Sequence, residues 1–123
     1  MEPLRKIIQD GCEILVIDFS DLKEDQMIKL LSDSRRLLIE EKRPQKLLAI
    51  FNHKNYITTK VLRHFETDQL EAINYSAKLV AVGLSATQKM ILKGYNVIFS
   101  RDIKSFDRLE DAIRFLVDDG VKK

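Results

Sequence analysis

Leu79-Val80-Ala81-Val82-Gly83-Leu84-Ser85-Ala86-Thr87-Gln88-Lys89 reads as a buried strand, a glycine turn and a capped helix start in immediate succession. Gly83 supplies backbone freedom where an apolar strand must stop and turn. Ser85 and Gln88 stand in S-x-x-Q spacing, in which the serine oxygen accepts from an early helix N–H and the glutamine side chain reaches back. That arrangement satisfies donors which a helix start leaves open, so the spacing predicts a helix from Ala86. Strand, short loop and helix make half of a βαβ unit, and in sheets of that kind ligands sit at the carboxyl ends of the strands.

Before this stretch the same order occurs twice. Glu13 to Phe19 is a β-branched apolar run and predicts a strand, with Cys12 at its start. Leu4 to Ile8 predicts a shorter strand, folded back on it through the Asp10-Gly11 turn as a hairpin. Ser20-Asp21 offers cap and turn chemistry, after which Met27, Leu30, Leu31, Ser34, Leu37 and Leu38 fall on one face of a helix from Glu24 to Lys42. Glu24 and Asp25 stand at the end of that helix favoured by its dipole, and Pro44 marks its stop. Lys46 to Asn52 is the next strand, followed by the polar loop His53-Lys54-Asn55-Tyr56. The helix after it starts near Thr58 or Thr59 and is expected to run to Ala77, burying Val61, Leu62, Phe65, Leu70 and Ile73.

After the central stretch, the helix carries Met90, Ile91, Tyr95 and Ile98 to about Phe99. Ile103 to Phe106 predicts a short strand. Asp107 and Glu110 form a D-x-x-E capping box, and Leu109, Ala112, Ile113 and Leu116 follow at i, i+3, i+4 and i+7. Gly120 and the terminal lysines read as a helix stop and a tail. Four strand-then-helix units predict an α/β domain with a mainly parallel sheet and an extra N-terminal strand. Two of the strands are apolar on both faces, so helices should cover both sides of the sheet.

The chain of 123 residues fits a single domain spanning 1–123, long enough to bury a core without disulfides or a structural metal. With 45% apolar and 33% charged residues it falls in the globular class, neither disordered nor fibrous. A net charge of +2 gives no electrostatic case for nucleic acid. One cysteine, Cys12, and no Cys/His cluster at zinc spacing point to a reducing compartment. Residues 1–12 show no charged head followed by an apolar block, and no apolar run is long enough to span a bilayer. The expectation is a soluble cytoplasmic protein with no membrane span.

No catalytic motif is present. Neither G-x-x-x-x-G-K-[ST], G-x-G-x-x-G nor G-x-S-x-G occurs, and His53 and His64 have no Cys or Ser partner in local sequence. A receiver domain would be of similar length, with Asp18 and Asp21 at the first strand end, Ser85 at the third and Lys104 in the fourth. However, the strand that should end in the phosphoryl-accepting carboxylate ends in Phe51-Asn52-His53, which argues against it. No enzyme activity, cofactor or metal is expected.

The more informative feature is the loop before the second main helix. His53, Lys54, Lys60, Arg63 and His64 gather positive charge at a helix start, while the acidic Glu66, Asp68 and Glu71 come later, the reverse of the stabilising order. Free N–H groups, cations and the hydroxyls of Thr58 and Thr59 compose a candidate anion-binding or phosphorylation site. A solvated charged face with a threonine cap accounts for the same residues. Ser85 likewise reads either as a structural cap or as a group presented to a ligand, next to Gly83. Met90-Ile91-Leu92 cannot all face inward on one helix, which leaves apolar surface for a partner or a second subunit.

In order and spacing the chain resembles the SpoIIAA-like proteins, the STAS or STAS/SEC14-like group of small bacterial α/β domains. The residues that carry the resemblance are Val80-Ala81-Val82-Gly83-Leu84-Ser85 with Lys89, Ser100-Arg101-Asp102-Ile103-Lys104-Ser105-Phe106-Asp107 with the acidic amphipathic helix ending in Phe115-Leu116, and Ile17-Asp18-Phe19-Ser20-Asp21-Leu22. The resemblance implies a four-unit βα superhelix. It also implies a regulatory role like that of the anti-sigma-factor antagonists, which are switched by phosphorylation of a serine at the start of the second main helix after an Asp-x-Ser type loop. Here that loop reads Asn52-His53-Lys54-Asn55-Tyr56-Ile57-Thr58-Thr59, so Thr58 or Thr59 would take the serine's place and the aspartate is missing. A protein partner or homodimer is expected on this reading. The alternative is a carrier of a small anionic or lipid-like ligand at the strand ends.

Overall fold

Asp10 and Gly11 both take positive φ, 51° and 77°, the backbone pair that a two-residue hairpin turn demands. In the computed structural model, which describes residues 2–72 and 76–118, this turn joins β1 (Leu4–Gln9) to β2 (Cys12–Asp18) as an antiparallel pair with Gln9 opposite Cys12. The remaining elements alternate: α1 (Glu24–Glu41), β3 (Gln45–Ile50), α2 (Thr59–Ala72), β4 (Ser76–Val82), α3 (Ala86–Phe99), β5 (Lys104–Phe106) and α4 (Leu109–Val117). Among the described residues the result is an α/β structure with four helices and one mixed sheet of five strands in sequential order β1-β2-β3-β4-β5. Strands β2 to β5 pair in parallel, so their carboxyl ends lie along one edge.

Period-two alternation sends the sheet's apolar residues to opposite sides. Leu15, Ile17, Leu47 and Ala49 meet Met27, Leu30, Leu31 and Leu38 of α1 and Val61 of α2. Ile14, Val16, Leu48, Val80 and Val82 meet Ala112 and Leu116 of α4. Both faces are covered, as the two-sided apolar strands require. Helix α3 lies beside α2: Leu62 and Phe65 share a cavity wall with Ile91, Leu92 and Tyr95, floored by Leu79 and Ala81.

The local punctuation is legible in the backbone. Lys42 closes α1 in the left-handed conformation, φ 53°, with its N–H donating to Leu38. At the other end, the N-cap is Lys23 rather than Ser20 or Asp21, and the Gln26 side chain accepts from the Lys23 N–H at 2.9 Å. Ser20 and Asp21 instead shape the turn. The Ser20 hydroxyl donates to Asp18 at 2.6 Å, and Asp21 has φ 65°.

Two helix boundaries differ from expectation. Helix α2 ends by Ala72, not Ala77, because Ser76 to Lys78 are taken into β4, where Ser76 pairs with Gln45 and Lys78 with Lys46. Sheet pairing overrides the helical periodicity that continues through this stretch. Helix α4 is capped by Arg108, not Asp107, with no side-chain cap bond. The Asp107 carboxylate is held by Lys89 at 2.5 Å, and Leu109, expected inside, is half exposed. The Leu70 side chain, Ile73 and the stop at Gly120 lie outside the described residues. Among the described residues, no helix is long and apolar enough to cross a membrane.

Candidate functional site

The carboxyl ends of the parallel strands are stitched to one another by single backbone bonds. Phe19 N–H donates to Ile50, Phe51 N–H to Val82 and Gly83 N–H to Phe106, at 2.8, 2.8 and 3.3 Å. The rings of Phe19 and Phe51 stack with centroids 5.0 Å apart beneath the loops. Gly83 has φ +86°, and a Cβ placed on it would run into the carbonyl of Phe51. Its role is therefore backbone geometry and close approach of two strand ends.

Three polar side chains bind the loops above this edge into one unit. Asn55, only 4% exposed, donates to the carbonyls of Phe19 at 2.8 Å and Leu22 at 3.0 Å and accepts from the Asn52 N–H at 2.9 Å. Asn52 reaches across to Asp21, donating to its carboxylate at 2.8 Å and accepting from its N–H at 3.3 Å. Gln88, also 4% exposed, accepts from the Ser85 N–H at 2.7 Å and donates to the carbonyls of Asn55 and Asn52 at 2.7 and 3.3 Å. Every polar atom of the Gln88 amide is thus used, as burial demands.

Ser85 accepts from the Gln88 N–H at 3.2 Å, completing the capping box. Its oxygen is engaged in the cap. Thr58 has the same function at α2: its hydroxyl oxygen accepts from the Val61 N–H at 3.1 Å, and its carbonyl accepts from Leu62. The Thr58 hydroxyl in turn donates to the Glu24 carboxylate at 2.6 Å. The start of α2 therefore already faces a carboxylate from α1, which is the sign its dipole favours.

The candidate cations do not converge on that point. His53 and Lys54 are exposed, and Lys54 lies 3.9 Å from Asp21. Thr59, Lys60, Arg63 and His64 are exposed on the outer side of α2. Glu66 is not a free surface charge: it accepts from the Tyr95 hydroxyl and pairs with Arg101 at 2.7 Å, tying α2 to the end of α3. Burial, reinforced by the adjacent Glu66, pushes the Tyr95 hydroxyl well above its ordinary value, and the bond to Glu66 holds Arg101 more firmly protonated.

Between α2, α3 and the sheet lies a cavity of about 80 Å³ lined by Phe51, Val61, Phe65, Ile91, Leu92 and Tyr95 among others. Its two polar neighbours, Gln88 and Tyr95, have their polar atoms bonded elsewhere. Among the described residues, no three His, Cys, Asp or Glu side chains gather as a metal site would need. Sequence reasoning located Ser85, Gln88 and Gly83, but missed Asn52, Asn55, Asp21 and Glu24. A polar Asn-x-x-Asn loop is the signal that was available for the first two.

No family model matches the chain, and no curated protein or solved structure is significantly similar to it.

Proposed function

We propose that this chain is a non-enzymatic regulatory or protein-interaction domain of STAS-like, SpoIIAA-like architecture, sensitive to phosphate at the start of α2. The observation that carries this reading is the 2.6 Å bond from Thr58 to Glu24, because it makes one hydroxyl the joint between two helix starts. A phosphate on Thr58 would replace a donor by a dianion facing a carboxylate, while the N–H groups of α2 favour the new charge. Repulsion of Glu24 then separates α1 from α2, and the Asn52–Asp21 and Asn55–Leu22 bonds carry the change to the neighbouring loop. Exposed Thr59 is the second candidate hydroxyl; Lys54, Lys60, Arg63 and His53 are exposed around the helix start without converging on Thr58.

The carrier reading has less support. Pockets that enclose organic ligands run to roughly 300 Å³ or more, whereas the cavity here is about 80 Å³ and presents no free polar group to an anion. The test is amide NMR of Thr58→Glu, which sets a carboxylate opposite Glu24. Shifts should appear together at Glu24–Met27 and at Asn52–Asn55, and should be clearly smaller in Thr58→Gln, which has the shape without the charge. Equal shifts in the two variants, or none at Glu24–Met27, would overturn the reading.

A further inference from the structure

The two edges of the sheet differ in length. β5 has three residues, whereas β1 has six, pairs with β2 along its whole length and has no strand on its other side among the described residues. One bond shows which of its backbone groups are left over. Asp18 N–H donates to the Pro3 carbonyl at 2.7 Å, and antiparallel neighbours alternate between bonded and non-bonded pairs. Arg5, Ile7 and Gln9 therefore turn their N–H and C=O groups toward β2, while those of Leu4, Lys6 and Ile8 point away from it. Gln9, opposite Cys12 across the two-residue turn, has the same phase.

Outward charge, an edge proline or a bulge blunts the free edge of a natural sheet. β1 has none of these. Its two cations are turned back to carboxylates of their own chain: Arg5 lies 3.8 Å from Asp18, and Lys6 pairs with Glu41 and lies 4.0 Å from Glu13. The register with β2 is continuous, and Pro3 stands before the strand rather than in it. Ile8 is 74% exposed. On the side of α1, a groove of about 490 Å³ opens between Pro3 and Leu4 and the side chains of Lys29, Arg36 and Leu37, which gives the side chains of a further strand room.

The sequence of the strand selects the occupant. Outward groups bond only where Leu4, Lys6 and Ile8 of one strand meet the same set on another, which leaves few registers for a two-fold pair. Centring on Arg5 or on Lys6 sets like charges directly opposite, which is destabilising. Centring nearer either end leaves most of the strand unpaired. Centring on Ile7 sets Ile7 against Ile7, Lys6 against Ile8 and Arg5 against Gln9, with no like charges opposed. We infer that β1 pairs antiparallel with β1 of a second copy, centred on Ile7, so that two five-stranded sheets become one. The joint lays the Lys6 stem of each copy along Ile8 of the other and extends the apolar contact of Ile7 with the core around Ile14. One strand a side is a smaller joint than the roughly 1,600 Å² of a standard interface, so the dimer is weak and forms with concentration.

The test compares amide hydrogen exchange of the whole chain at micromolar and millimolar concentration. Lys6 and Ile8 should exchange at least about tenfold more slowly in the concentrated sample, while Arg5 and Ile7, bonded to β2, are protected in both. Ile8→Pro removes one outward N–H and leaves the ladder to β2 whole. It should stay folded and lose the slowing at Lys6, which Ile8→Thr should keep. In a Cys12→Ser background, Ile7→Cys should oxidise to a covalent dimer, because the side chains of a non-bonded pair lie close, and Arg5→Cys should not. Exchange at Lys6 and Ile8 that does not depend on concentration would overturn the proposal. So would a dimer that persists in Ile8→Pro, or equal cross-linking by the two cysteine variants. The Thr58→Glu spectra read the start of α2 instead, so either result can fail while the other stands.

Discussion

The hydroxyl of Thr58 donates to the carboxylate of Glu24 across 2.6 Å while its oxygen accepts from the Val61 N–H. One side chain thus caps α2 and ties it to the first turn of α1. Thr58→Ala should destabilise the chain by about 1–2 kcal/mol, the cost of losing an N-cap together with a charge-assisted bond. Thr58→Ser retains both groups and should recover most of the loss. Urea unfolding of the two variants measures the difference, and equal midpoints would remove the joint from the account.

Gly83 is predicted to be intolerant of any side chain. Its φ of +86° is strained for other residues, and a Cβ would strike the Phe51 carbonyl. Gly83→Ala should therefore cost about 3 kcal/mol, a sum of backbone strain and displaced strand ends. Gly11 has a comparable φ of +77° but open space around it, so Gly11→Ala should cost distinctly less. Thermal denaturation of the pair separates strain from collision.

The contrast between the two capping boxes shows what was legible before the fold was known. Ser85 and Gln88 lie three positions apart in the chain, and local spacing places the start of α3 correctly. Asp107 and Glu110 have equivalent spacing, but α4 is capped by Arg108 and Asp107 pairs with Lys89, 18 positions distant in sequence, a contact no local pattern encodes. The end of α2 was misplaced for a related reason: Ser76 and Lys78 have little strand propensity and join β4 because β3 offers them a ladder. At the site, exposed cations were visible by composition, whereas the buried Asn55 and the tie from Thr58 to Glu24 depend on loops brought together only by the sheet.

Gln88 does more than its capping role predicts. Gln88→Leu would leave the Ser85 N–H and the carbonyls of Asn55 and Asn52 without their partner in a buried setting. Each lost bond to a buried group costs on the order of 1 kcal/mol or more, so the variant should lose about 2–4 kcal/mol. Gln88→Glu keeps the shape and the acceptor but loses the amide donor to both carbonyls. Hydrogen exchange should show faster opening of residues 52–55 in both variants. Loss of stability without faster exchange there would mean that Gln88 acts on α3 alone.

Tyr95 predicts the behaviour of the chain in alkali. Burial first, and then the neighbouring Glu66, raise its hydroxyl well above the ordinary 10.0. A group whose proton is held more tightly in the folded state lends stability that is whole below the unfolded value. That contribution declines as pH rises past about 10 towards the folded value. Stability should therefore fall progressively above that point in the native chain. Tyr95→Phe should remove the part of this slope owed to Tyr95, while losing about 1 kcal/mol at neutral pH for the missing bond to Glu66. The Arg101 pair with Glu66 is kept in this variant, so the bridge between α2 and α3 persists. Urea midpoints measured across the alkaline range for both proteins decide it: an unchanged slope in Tyr95→Phe would place the alkaline sensitivity at another group.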